Sequence, residues 1–141
     1  MRIRFFVLLL VMLGGSFLHS LSQTVRPKTY ALIIGISTYE NKDLRALNYA
    51  DKDAKLFAAY LQSKAGGSVP DSQVTMLLNE KATIATVYNA MDWIKQQASE
   101  NDIVYIYFSG HGDVETKSSK INGYLLAYNT PAHNYPNNAI S

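Results

Sequence analysis

The stretch Ile103-Val-Tyr-Ile-Tyr-Phe-Ser-Gly-His-Gly-Asp113 decides the fold. Asp102 opens it, and Ile103 to Phe108 is a continuous apolar run that reads as a buried strand. At Ser109 the character changes to a polar cluster in which Gly110 and Gly112 flank His111. Functional groups of open parallel sheets gather at the carboxyl ends of their strands, which is where His111 falls.

Upstream, Tyr30-Ala-Leu-Ile-Ile-Gly-Ile36 is a second apolar run, rich in β-branched residues, as expected of a strand buried on both faces. Ser37 to Leu44 is polar and turn-rich, a loop leaving that strand's carboxyl end. Ala50, Ala54, Phe57, Ala58 and Leu61 recur at spacings of three and four, the stripe of an amphipathic helix. Asn48 or Asp51 is the expected cap at its start, and Gly66-Gly67 and Pro70 end it. Val74 to Leu78 is a short strand. Thr83 is the expected cap of a second helix with Ile84, Val87, Tyr88, Met91 and Ile94 buried and Trp93 packed at its edge. Gly123 to Ala127 reads as one more short strand, and Asn129 to Ser141 as a loop. The order strand, helix, strand, helix, strand, with crossovers long enough for parallel pairing, predicts an α/β three-layer sandwich with a mostly parallel sheet.

The chain has 141 residues, 48% hydrophobic and 17% charged, which is enough apolar material for a core. Arg2 and Arg4 precede an apolar stretch, Phe5 to Leu18, that is about 14 residues long against the roughly 20 a membrane span needs. With small residues at Ser20 and Ser22, residues 1–22 are read as a signal peptide cleaved after Ser22, giving an exported protein with no stable membrane association. An uncleaved anchor is the other reading. Cleavage removes two arginines and no acid, leaving 11 basic and 11 acidic residues. Without a basic block, nucleic acid is not an expected partner. Cysteine is absent, so no disulfide scaffold forms and no thiol mechanism runs on these residues alone.

An imidazole titrates near neutral pH, as a general base requires, and flanking glycines permit close backbone approach and unusual dihedrals. The backbone N–H of Gly112, with no side chain in the way, suits an oxyanion. A serine nucleophile elbow fails, because Tyr107 stands where its first glycine belongs. His111, Asp113 and Glu115 alternate on one short segment with no distant partner, a weak metal signal, so solvated loop acids are the expectation. No phosphate-binding glycine motif is present.

The chain resembles the caspase/metacaspase-like cysteine peptidases. Tyr105-Ile-Tyr-Phe-Ser-Gly-His-Gly112 resembles their histidine motif, Tyr30 to Ile36 their opening strand, Leu47-Asn-Tyr-Ala-Asp-Lys-Asp-Ala54 the start of their first helix, and Gly123-Tyr-Leu-Leu126 the strand after the histidine. The resemblance implies a caspase-like peptidase domain over residues 28–141 and a protein or peptide substrate. It implies His111 as general base to a cysteine nucleophile, with Gly112 as an oxyanion donor. That cysteine would lie about 50 residues on, near position 160, so the 141-residue chain is expected to be inactive. It also implies that Asp53 helps form an acidic pocket for Arg or Lys before the cleaved bond; the helix dipole is the competing account of Asp53. Ala50 stands where many metacaspases carry a second cysteine, and Asn129 where relatives often carry an acid. No cofactor is implied; calcium activation occurs in many metacaspases, with no ligands assigned here. The alternative reading is an inactive caspase-like binding or assembly module.

Overall fold

The computed structural model describes residues 26–115, 121–131 and 134–141. The expected signal segment, residues 1–22, lies outside the described residues.

The strand β1 (Thr29–Gly35) occupies the centre of a three-stranded parallel sheet. On one side it pairs with β2 (Val74–Leu78), in the register Ala31 to Val74. On the other it pairs with β3 (Ile103–Ser109), in the register Thr29 to Ile103 and Gly35 to Ser109. The helices α1 (Ala50–Gln62) and α2 (Ile84–Gln97) are the two crossovers. Successive side chains of a strand point to opposite faces, and β1 shows it cleanly. Ala31 and Ile33 pack with Ala54, Ala58 and Leu61 of α1, whereas Leu32 and Ile34 share a cluster with Val87, Ala90 and Ile94 of α2. The expected three-layer α/β sandwich is therefore present.

Gly35 sets how closely α1 approaches. A Cβ at this position would lie 2.6 Å from the Ala50 carbonyl oxygen and 2.5 Å from the Ala54 Cβ, so the amino end of α1 sits directly on the carboxyl end of β1.

Several local expectations are corrected. Neither Asn48 nor Asp51 caps α1. Its cap position is Tyr49, which makes no side-chain cap bond. Ser37, in the loop after β1, does the work instead: its hydroxyl accepts from the Asp51 N–H at 3.0 Å and donates to the Asp51 carboxylate at 2.7 Å. Thr83 does cap α2, accepting from the Thr86 N–H at 3.2 Å, and the Asn129 side chain accepts from the Ile84 N–H at 3.0 Å. Tyr88 was expected inside but is exposed, because the buried stripe runs through Val87, Ala90 and Ile94. Trp93 packs edge-on against Tyr30 as expected, 5.9 Å between rings.

After His111 the chain enters β4 (Gly112–Glu115), which pairs antiparallel with β5 (Asn122–Leu125). The residues expected to be loop acids, Asp113 and Glu115, thus stand on a strand. The further strand expected at Gly123 to Ala127 is β5, which ends at Leu125; Leu126, Ala127 and Thr130 beyond it are buried in the core. The segment read as a plain loop packs as well: Tyr135, Ala139 and Ile140 are buried, and Leu125 and Ile140 exchange two backbone hydrogen bonds at 2.9 Å.

Candidate active site

His111 stands two residues beyond the end of β3, between that strand and β4. Four contacts fix it. Its backbone carbonyl accepts from the Leu126 N–H at 2.9 Å. Its backbone N–H donates to the Tyr39 hydroxyl at 2.7 Å. Its ring lies tilted against the Tyr39 ring, 5.2 Å between centroids. Its Nε2 is 2.6 Å from the Arg45 carbonyl oxygen. A carbonyl only accepts, so Nε2 carries a hydrogen whenever this bond is made. In the neutral ring Nδ1 is then the basic nitrogen, the one that takes a proton.

The Arg45 carbonyl is held in place by a loop that is itself tied down. The Asn79 side chain accepts from the N–H groups of Ser37 at 2.8 Å and Thr38 at 3.2 Å. Leu47 donates its N–H to the Ser37 carbonyl at 2.8 Å, and Glu40 to that of Tyr128 at 3.0 Å. The Ser37 hydroxyl, followed by Lys55 at 3.3 Å, holds the Asp51 carboxyl below the ordinary carboxylate range. The loop after β1 is therefore clamped by the ends of β2 and α1, and the histidine leans on it from β3.

The flanking glycines differ in their reasons. Neither takes a positive φ, so the expectation of unusual dihedrals is not met. At Gly110 a Cβ would lie 2.8 Å from the Phe108 ring and 2.9 Å from the Tyr39 hydroxyl, so close packing excludes a side chain there. At Gly112 the nearest atom to a Cβ would be the Tyr124 carbonyl oxygen at 3.4 Å, ordinary contact. Packing leaves Gly112 replaceable.

Asp53 is exposed in the first turn of α1, its N–H bonded to the Tyr49 carbonyl at 2.8 Å. Since α1 begins over Gly35, Asp53 and His111 belong to the same carboxyl edge of the sheet. No contact between the two is made. Asp113 is drawn elsewhere: its carboxylate accepts from the Tyr135 hydroxyl at 2.6 Å. Among the described residues no group of three or more His, Asp or Glu side chains could hold a metal ion.

A caspase-domain family model matches residues 28–140. The chain belongs to the caspase-domain peptidase family. A curated protein from a Desulfuromonadales bacterium, named a probable protease, is 31% identical over 99 residues. That match covers 60% of this chain but 12% of the relative, so this chain spans a small part of that protein's length. A crystal structure of a Geobacter sulfurreducens protein superposes with a TM-score of 0.60 at 25% identity, covering 73% of this chain and 40% of that one.

Two groups of this cluster escaped the sequence. The Arg45 carbonyl is a backbone group and leaves no signature in residue types. Tyr39 had a faint one: a large aromatic inside a polar, turn-rich loop, with no stripe of its own to bury it.

Proposed function

We propose that this caspase-type domain provides the histidine half of a cysteine endopeptidase dyad. The observation that carries the reading is the bond from His111 Nε2–H to the Arg45 carbonyl. It commits Nδ1 to proton exchange, which is the task of the base in a thiol protease. The nucleophile is a cysteine about 50 residues downstream of His111 in the full-length protein. His111 takes the thiol proton, and the thiolate attacks the carbonyl carbon of the scissile bond. The resulting oxyanion is met by the Gly112 N–H. The C–N bond breaks as His111 returns the proton to the leaving amine, and water then hydrolyses the thioester.

The open edge of β3 supports the same reading. Ile103, Val104, Tyr105 and Ile106 are all exposed there, an apolar strand that fits burial beneath a further strand of the protein. Asp53 gives the finer expectation of Arg or Lys before the cleaved bond, since an exposed carboxylate at the same sheet edge pairs with a basic side chain. Residues 1–22 direct export in this reading.

The test uses the full-length protein on paired fluorogenic peptides with Arg or an uncharged residue before the bond. His111→Ala lowers kcat by about 10²–10⁴-fold on both, the range for loss of a general base. Asp53→Asn reduces kcat/KM on the Arg peptide alone. Undiminished turnover by the His111 variant overturns the dyad; equal losses on both peptides for the Asp53 variant overturn the pocket. A full-length protein with no downstream cysteine would be a binding module instead.

A further inference from the structure

We infer that Tyr39 is a positioning residue for His111, its hydroxyl anchoring the histidine's backbone so that the ring keeps its bond to Arg45. The inference rests on the dyad reading above and adds a residue to it.

Tyr39 is 3% exposed, although it belongs to a loop of polar residues. Its ring packs in the α2-side core with Leu126 and Ala127, which fixes where its hydroxyl ends. That hydroxyl accepts the His111 N–H at 2.7 Å across 72 residues of chain. β3 ends at Ser109, so His111, two positions on, has left the ladder with β1. The Tyr39 hydroxyl thus replaces the sheet bond that His111 lost on leaving the strand. Three further features converge on this contact. Gly110 carries no Cβ, which would lie 2.9 Å from the hydroxyl. The Tyr39 and His111 rings touch. The Arg45 carbonyl that accepts from Nε2 belongs to the same loop as Tyr39, so one loop holds the histidine at both backbone and ring. Burial raises the phenol above its usual range, so Tyr39 stays a neutral hydroxyl where a thiol protease works.

The chemical consequence is specific. An imidazole held in place stabilises a neighbouring thiolate, whereas an unpaired cysteine ionises near pH 8.5. Loosening the histidine therefore weakens thiolate formation below that pH and changes little above it. A purely structural Tyr39 would alter stability without this pH signature.

The experiment compares wild type, Tyr39→Phe, Tyr39→Leu and His111→Ala in the full-length protein, each at a temperature where circular dichroism shows it folded. Iodoacetamide inactivation is followed from pH 5.5 to 9.5, and kcat and KM are measured on one peptide. Tyr39→Phe keeps the ring and loses the acceptor. It is expected to slow inactivation roughly tenfold at pH 6–7, as a small displacement of a catalytic group does, and to match wild type near pH 9. Its kcat falls with KM unchanged. Tyr39→Leu falls at least as far. A Phe variant with the wild-type pH profile and kcat, beside an inactive His111→Ala, overturns the role of Tyr39 and leaves the dyad standing. Full activity in His111→Ala overturns the dyad, and the Tyr39 inference with it.

Discussion

Strands β1 and β3 are both seven-residue apolar runs, side by side in one sheet, yet they live in different surroundings. From Tyr30 to Ile34 β1 is at most 4% exposed. Ile103 and Ile106 of β3 are 49% and 59% exposed. The difference lies in neighbours. β1 has a strand on each side and a helix over each face, whereas β3 is paired on one side only among the described residues. An apolar strand pattern states what burial a strand is built for. It does not say which part of the molecule supplies that burial. Between the two strands, the difference is one of coverage among the described residues.

The largest expected effect comes from the well-covered side. Leu32→Ala opens a cavity in a fully buried position and should cost about 2–5 kcal/mol in urea unfolding. Ile106→Ala in the 141-residue chain should stay within about 0.5 kcal/mol, as expected for an exposed site. In the full-length protein the same change should rise toward the Leu32 value as β3 becomes covered. If Ile106→Ala remains neutral there, nothing packs on β3 and the comparison between the strands is simply one of centre and edge.

A smaller effect separates two glycines on these strands' flanks. Gly35→Ala forces a methyl against the Ala50 carbonyl and Ala54, neither of which can swing aside, and should cost about 1–3 kcal/mol. Gly112→Ala meets nothing nearer than 3.4 Å and should leave stability close to wild type. Matching thermal melts for the two variants would mean that α1 can slide away from β1, and that the central strand is less tightly built than its burial suggests.

The elements that the sequence made legible are those with long, periodic patterns. The β1 run, the α1 stripe and the order of crossovers all follow from side-chain spacing, and the structure repeats them. The features that escaped depend on tertiary contacts. The cap of α1 comes from Ser37, 14 residues before Asp51, so no local cap motif announces it. β4 has four residues and a glycine among them, too short to show a period, whereas its partner β5 was legible as a short strand. Tyr88 sits at helical spacing with the apolar stripe, but Ala90 is buried in its stead. At the site, His111 was visible from its motif, whereas Tyr39 and the Arg45 carbonyl depend on how the β1 loop folds back.

The smallest effect tests how β1 and β3 are joined at their far end. One Asp102 oxygen accepts from the Lys28 N–H at 2.7 Å and the other from the Ser99 N–H at 2.8 Å. These backbone donors, Lys28 first, hold its carboxyl below the usual range. The unfolded chain, with an ordinary carboxyl near pH 3.9, therefore binds this proton more readily than the folded one. The stabilisation is complete above the unfolded pKa and is lost as pH falls through the lower folded one. Thermal midpoints measured from pH 6 down to pH 2.5 should show a gap between wild type and Asp102→Asn that narrows with acid. An unchanging gap would place the contribution of Asp102 in geometry rather than charge. The clip would then hold β3 to β1 equally well in either protonation state.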